Sequence, residues 1–448
     1  MTKPSRVLAV DLGAASVRVA AVDLAADAPE VEIVHRWRHS PVTAGDGSLR
    51  WDWSRLVAEV EFGLGKGLQA GPVASIGIDG WGVDYGLIDH QGGLVEWPFS
   101  YRDTRTESWG QIADAIGRDR LYEVTGIQLM PFNTIFQLAV HDPQKLEQAQ
   151  NVLLLPDLLV HQLTGTVVAE RSNASTTALL DAQTGDWSTA LLDEIGVDPG
   201  LLPTVVGAGK RTGGWNGIPI HLVGSHDTAS AFLGMPGAEA DTVFVSTGTW
   251  VIVGIERDTP DTSPAARLAN FSNEAGALGG FRFLKNVVGF WILEQCRSAW
   301  GDPPIEDLLT EASTVDMAVP TFDAGDHRFV NPVDMEKEVR DASALGERTP
   351  REVVVRTIVE SIVAGVGRVI EEIGTITDTP PSRIALVGGG ARVPFLHQLL
   401  AEKTGLRVVV GSPEATALGN AIVQGLSVGH FADLTEARSW LESSAMPS

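Results

Sequence analysis

The chain has 448 residues, with 33 basic against 57 acidic side chains and a net charge of −24. Such a surface repels nucleic acid and anionic membrane, whose binders present basic patches. A chain of this length supplies two domains, since domains usually run ~100–200 residues.

Cys296 is the single cysteine, so an intrachain disulfide and a cysteine-rich zinc site are excluded and a core position is expected for it. The first apolar run, Val7-Leu-Ala-Val10, stops at Asp11. A signal peptide needs ~7–15 apolar residues, and no run approaches the ~18 of a membrane span. A soluble cytoplasmic protein is the expectation.

In chain order, Val7–Val10 reads as a buried strand, Asp11–Ser16 as a turn of small residues, and Val17–Val22 as the return strand. Val31–His35 is a third strand. Leu56–Leu68 reads as a helix despite three glycines. Ser75–Asp79 is a buried strand that ends on an acid and the turn Gly80-Trp-Gly82. Hairpins followed by alternating helices and strands make an α/β pattern. The breaker-rich Gly234–Glu239 marks the boundary between a domain over 1–236 and one over 237–448. The second half repeats the grammar: Thr242–Val245 and Trp250–Gly254 flank Ser246–Thr249. Val354, Ile358, Ile362, Val366, Val369 and Ile373 form one helical stripe. Arg383–Val387 is a strand running into Gly388–Gly390, Pro394–Lys403 a helix, Leu406–Val410 a strand. Ser412-Pro413-Glu414 starts a further helix as cap, first-turn proline and helpful charge. Lys285-Asn286 precedes a buried helix over Val287–Leu293.

The chemistry gathers at strand ends, where α/β proteins bind ligands. Asp227 ends an apolar run in Val223–Ala229. It is either a general base for a substrate hydroxyl or, like Ser225, a cap for the helix Thr228–Leu233. Asp11 either orients a hydrated magnesium, with the Gly13–Ser16 amides near ATP, or belongs to an ordinary hairpin turn. Thr247-Gly248-Thr249 is a second phosphate cradle or a tight hairpin. Asp79 is a turn former or a ligand to metal or substrate. Trp81 is the wall of a sugar pocket or a core tryptophan, and Asp84 is solvated. His226 binds a sugar hydroxyl or packs locally. Three glycines at Gly388–Gly390 suit close approach of a nucleobase or ribose, or a plain strand–helix turn. Asn286 suits substrate hydroxyls. A base and a phosphate cradle this close in sequence suggest a kinase for a small hydroxylated substrate.

These stretches resemble the FGGY carbohydrate kinases. The matches are Ala9–Ala14, Ile76–Asp79 with Trp81–Asp84, Tyr101–Thr106, Thr125–Gln128, Pro156-Asp157, Asn173–Thr177, Gly224–Ser230 and Ser246–Trp250. Asn273-Glu274, Leu284–Asn286 with Gly289 and Trp291, Gly388–Gly390 and Pro413–Asn420 complete an ordered set over most of the chain. The resemblance implies two ribonuclease-H-like, actin-like ATPase domains closing on a cleft. It implies ATP-dependent phosphorylation of L-rhamnulose at its 1-hydroxyl with magnesium, in a monomer or small homo-oligomer. Asp227 would accept the proton. Gly82, His226, Asp227, Thr228 and Asn286 would contact the sugar. Ala14, Ala15, Ser16, Val17 and Arg18, with Thr249 and Gly389 or Gly390, would contact ATP. Val17 stands where the family has glycine, and Glu294 where it has an ATP-contacting glutamine. The alternatives are a related kinase for L-fuculose, xylulose, ribulose or a polyol, and, from another class, a non-catalytic sugar sensor or actin-like regulatory ATPase.

Overall fold

Two hairpins, each followed much later by strands parallel to its first member, organise the chain. The structure is a computed structural model, and it describes residues 4–237, 241–248, 250–329 and 332–443. The first sheet holds β1 (Arg6–Gly13), β2 (Ser16–Asp23), β3 (Val31–Arg38), β4 (Ser75–Gly80), β5 (Arg211–Trp215) and β6 (Ile218–His226), in the order β5-β6-β4-β1-β2-β3. β1 pairs antiparallel with β2 and parallel with β4, and β6 runs parallel to β4. The second sheet holds β7 (Thr242–Thr247), β8 (Trp250–Arg257), β9 (Ser272–Ala275), β10 (Phe281–Val288), β11 (Arg383–Gly388) and β12 (Arg407–Val410), in the order β9-β10-β8-β7-β11-β12. Here β7 pairs antiparallel with β8 and parallel with β11, and β11 runs parallel to β12. Each sheet therefore has an antiparallel pair followed by two parallel strands in matching order, the arrangement of a ribonuclease-H-like, actin-like domain.

The chain forms two compact units: Met1–Pro236 with Glu256–Phe283 and Glu414–Ser448, and Gly237–Ile255 with Leu284–Pro413. In the first, α1 (Trp53–Gln69) runs through three glycines, and two of them, Gly63 and Gly67, face the sheet. A Cβ on Gly67 would stand 2.7 Å from the Leu8 side chain, so the missing side chains let the helix press onto β1 and β2. Leu8, Val10, Val17, Val19, Leu56, Val60, Leu64 and Ile76 form its core. Burying each such side chain contributes about 1.5–3 kcal/mol. Helix α2 (Asp227–Leu233) packs on the helix Ala415–Ser427. A Cβ on Gly419 would collide with the Ser230 carbonyl, so only glycine permits this backbone approach.

The second unit is built on the helix Arg351–Thr377, which buries the apolar stripe of Val354, Ile358, Ile362, Val366, Val369 and Ile373. Cys296 is buried as expected. Burial pushes its thiol up to about 12.

Several local expectations are corrected. The first hairpin turn is only Ala14-Ala15, so Asp11 lies within β1. Lys285 and Asn286 sit on strand β10, and the helix starts later, at Trp291, once Gly289 has broken the apolar run. The helix after Glu414 begins at Ala415, and Ser412 does not cap it. Asp84 is fully buried rather than solvated. Among the described residues no helix is long and apolar enough to cross a membrane.

Candidate active site

The parallel pairing of β1 and β4 sets Asp11 directly beside Asp79. Both carboxylates are buried, and one oxygen of each, Oδ1, has no hydrogen-bond partner. Arg18, directly opposite Asp11 in the hairpin register, pairs with it and reaches Glu414 at 2.9 Å. Arg36 adds a contact to Glu414 at 3.6 Å, which holds that side chain away from any capping role. Asp79 Oδ2 accepts from Asn420 Nδ2 at 2.6 Å, and Gln424 Nε2 donates to Asn420 Oδ1 at 2.7 Å. Burial raises the Asp11 carboxyl to about 6, with Arg18 pulling it down and the Asp227 charge pushing it up. Burial, and then the charge of Asp11, carries Asp79 well above the ordinary carboxylate range. Three acids thus share one field. Among the described residues no three ligands converge tightly enough to hold a metal directly. Orphaned buried oxygens beside each other suit a hydrated magnesium, which keeps several of its waters.

Strand β6 delivers Asp227 as the first residue of α2. Glu170, wholly buried, fixes the approach. Its Oε2 accepts from Ser225 N at 2.9 Å, Ser225 Oγ at 3.0 Å and Ser172 N at 2.9 Å, and also from the Ser172 hydroxyl. Ser172 Oγ in turn accepts from His226 N at 3.1 Å. No side chain caps α2: Ser225 is engaged by Glu170, and Asp227 Oδ1 accepts only the neighbouring Thr228 hydroxyl, at 3.1 Å. The capping alternative for Asp227 and Ser225 is therefore absent, and the Asp227 side chain stays 30% exposed. His226 Nε2 lies 3.6 Å from Asp227 Oδ1. Its Nδ1 is 3.1 Å from Glu274 Oε2, which also pairs with the buried Arg282 at 3.1 Å.

Past the end of β4, Asp84 acts as a hub. Its Oδ2 accepts from Trp51 Nε1 at 2.7 Å, Trp81 Nε1 at 2.9 Å and Tyr101 N at 3.1 Å. Burial raises its carboxyl to about 6 in spite of these donors. Trp81 lies in the core, its ring 4.6 Å from that of Trp51. Gly82 faces Thr176: a Cβ there would stand 2.9 Å from Thr176 Oγ1. Val83 follows with a positive φ of 69°, a strained conformation for a β-branched residue. It is held by Thr176 Oγ1, which accepts from Val83 N at 3.2 Å, and by Thr134 Oγ1, which donates to Val83 O at 2.8 Å.

The Ala14-Ala15 turn is clasped by His39, whose N donates to Ala15 O at 3.1 Å and whose Nε2 donates to Gly13 O at 2.9 Å. Ala15 is exposed and Ser16 half-buried, while the Val17 side chain lies wholly in the core. Val17 can therefore offer a nucleotide only backbone.

In the second unit, β7 and β11 set Thr247 beside Gly388. Thr247 Oγ1 donates to Val387 O at 2.8 Å and accepts from Gly390 N at 2.7 Å. Gly388 has a φ of 79°, and a Cβ there would run into the Thr247 carbonyl. Gly389 opens a short 3-10 turn. The Gly248 amide donates to Trp250 O at 3.0 Å. Thr249 lies outside the described residues. Asn286 is half-buried on β10. Glu294, on the helix Trp291–Ala299, pairs with Arg297, whose Nε donates to Oε2 at 2.9 Å, so its charge is balanced locally.

Glu170, Glu274 and Arg282 were not foreseen as parts of the site. Asn273-Glu274 stood among the matching stretches, but no local pattern links it to His226.

Sequence models of the FGGY family of carbohydrate kinases match most of the chain, the N-terminal domain over residues 6–234 and the C-terminal domain over 243–428. It is 37% identical to the rhamnulokinase of Pectobacterium atrosepticum over 451 residues, 97% of this chain and 90% of that protein. It is 35% identical to the rhamnulokinase of Bacteroides thetaiotaomicron over 455 residues, 97% and 93% of the two chains. Among solved structures, gluconate kinase from Lactobacillus acidophilus superposes with a TM-score of 0.79 at 18% identity, over 97% of this chain and 92% of that one. Plasmodium falciparum glycerol kinase with ADP gives 0.77 at 16% identity, over 98% and 92%. Those structures share the fold, while the two sequence models and the full-length relatives settle the lineage: the chain belongs to the FGGY family of carbohydrate kinases.

Proposed function

We propose that this kinase transfers the terminal phosphoryl group of ATP to the 1-hydroxyl of L-rhamnulose, giving L-rhamnulose 1-phosphate and ADP. The observation that carries the reading is Asp227, a carboxylate at the head of α2 that remains partly exposed and caps nothing. The identity of 35–37% to proteins named rhamnulokinase points to the sugar.

Asp227 accepts the hydroxyl proton as the sugar oxygen bonds to phosphorus and the bond from phosphorus to the bridging oxygen of ADP breaks. His226, Thr228, Gly82 and Asn286 hold the sugar. Trp81 acts through its place beneath the Gly82 turn. Backbone at Ala14–Ser16, Val17 and Arg18, with Thr249, Gly248 and the Gly389-Gly390 turn, holds the nucleotide. Glu294 is a further nucleotide neighbour. Asp11 with Asp79 would hold a hydrated magnesium ion, which would supply positive charge against the phosphates.

The test is ATP-dependent phosphorylation across L-rhamnulose, L-fuculose, D-xylulose, L-ribulose and matching polyols. L-rhamnulose with the highest kcat/KM is the expected result. A higher value for another sugar moves the substrate assignment there, because a single hydroxyl contact decides specificity.

A further inference from the structure

Arg282 and Glu274 lie behind His226 and take no part in the steps above. Arg282 is wholly buried. Its Nε and Nη2 both donate to the Ala275 carbonyl, at 3.2 and 3.1 Å, and this fork fixes the guanidinium plane. Nη2 also reaches His226 Nδ1 at 3.2 Å with its N–H aimed at that nitrogen. Glu274 Oε2 is 3.1 Å from both Nη2 and Nδ1 but has no hydrogen-bond partner. Glu274 therefore balances the guanidinium charge through space.

A guanidinium only donates, so Nδ1 must accept. A neutral imidazole whose Nδ1 accepts carries its hydrogen on Nε2, and Nε2 is the atom facing Asp227. We infer that Arg282, with Glu274 as its counter-charge, is a positioning residue that fixes His226 as the Nε2–H tautomer and so sets a hydrogen-bond donor beside the Asp227 acceptor.

The consequence is a donor–acceptor pair, which admits a hydroxyl beside a carbonyl where two acceptors would not. The attacking hydroxyl donates to Asp227, and the neighbouring sugar oxygen accepts from His226. A donor and an acceptor 3.6 Å apart match a hydroxyl next to a carbonyl, the 1-hydroxy-2-oxo end of a ketose. The opposite tautomer would present two acceptors and favour a diol. This preference rests on the kinase reading; the tautomer does not.

The test uses the full chain with 15N-labelled histidine, without sugar, at about pH 8, above the ordinary histidine range. Two-bond proton–nitrogen spectra report which ring nitrogen is protonated, and His226 is the signal lost in His226→Gln. The expected result is a protonated Nε2 and a bare Nδ1. Arg282→Met, with the donor to Nδ1 gone, should move the hydrogen toward Nδ1, on the side of the Glu274 charge. Arg282→Lys, which keeps a buried donor, should retain Nε2–H. A wild-type Nδ1–H overturns the inference with no variant needed, and so does an unchanged tautomer in folded Arg282→Met. An Nε2–H tautomer in a protein that phosphorylates no ketose upholds this inference and removes the substrate reading instead.

Discussion

Thr176 stands over Gly82, so that a Cβ on the glycine would lie 2.9 Å from its Oγ1 and 3.1 Å from its Cγ2. The same hydroxyl accepts from Val83 N and donates to Asn173 O at 2.8 Å. Gly82→Ala must therefore displace either the strained Val83 turn or the Asn173–Thr177 segment. The sugar KM should rise about tenfold, with the KM for ATP nearly unchanged. Thr176→Ala should weaken the turn alone but relieve the clash, so the double variant should lose less than the two single losses combined. Simple additivity in initial-rate kinetics would show that the two residues do not meet in the working enzyme.

Asp84 gives a pH prediction. Folding raises its carboxyl from 3.8 to about 6, so folding favours the protonated form. That stability is fully present below pH 3.8 and is lost as pH rises through about 6. The loss at neutral pH is of order 3 kcal/mol. Asp84→Asn keeps an acceptor for the two indoles and removes the titration. Urea unfolding followed by tryptophan fluorescence should show the wild type losing stability relative to the variant between about pH 4 and 6.5. Parallel stability curves would contradict the assignment.

The nucleotide contacts proposed above include the Gly389-Gly390 turn. A Cβ on Gly390 would stand 2.6 Å from Leu396 Cδ2 and crowd the Thr247 hydroxyl that receives its amide. Gly390→Ala should raise the KM for ATP about tenfold or more and leave that for the sugar within about twofold. Equal shifts in both constants would remove this turn from the nucleotide site.

Much of this was legible from the chain because its signals are local. Buried apolar runs marked β1, β4 and β11, and a helical stripe marked Arg351–Thr377. The duplicated hairpins showed the repeated architecture. What was missed depends on distant partners. Asp84 looked solvated beside two glycines; the indole of Trp51, 33 residues away, makes it a buried hub. Glu414 looked like a helix-start charge, but Arg18, 396 residues away, claims its side chain. The extent of the first hairpin depends on ladder pairing up to Gly13 and Ser16, which small side chains alone do not reveal. The apolar run Val287–Leu293 fits strand or helix equally by periodicity, and the structure divides it at Gly289. Glu170 carries no local mark at all, since its role is to gather amides from Ser172 and Ser225.

Replacement of Asp227 by its isosteric amide isolates its role as the proton acceptor in a ketose kinase. ADP formation with saturating L-rhamnulose, ATP and magnesium should be compared for the wild type and Asp227→Asn. For Asp227→Asn kcat should fall about 10²–10⁴-fold, the range for losing a positioned base, with sugar binding retained. Turnover within about threefold of the wild type would contradict it.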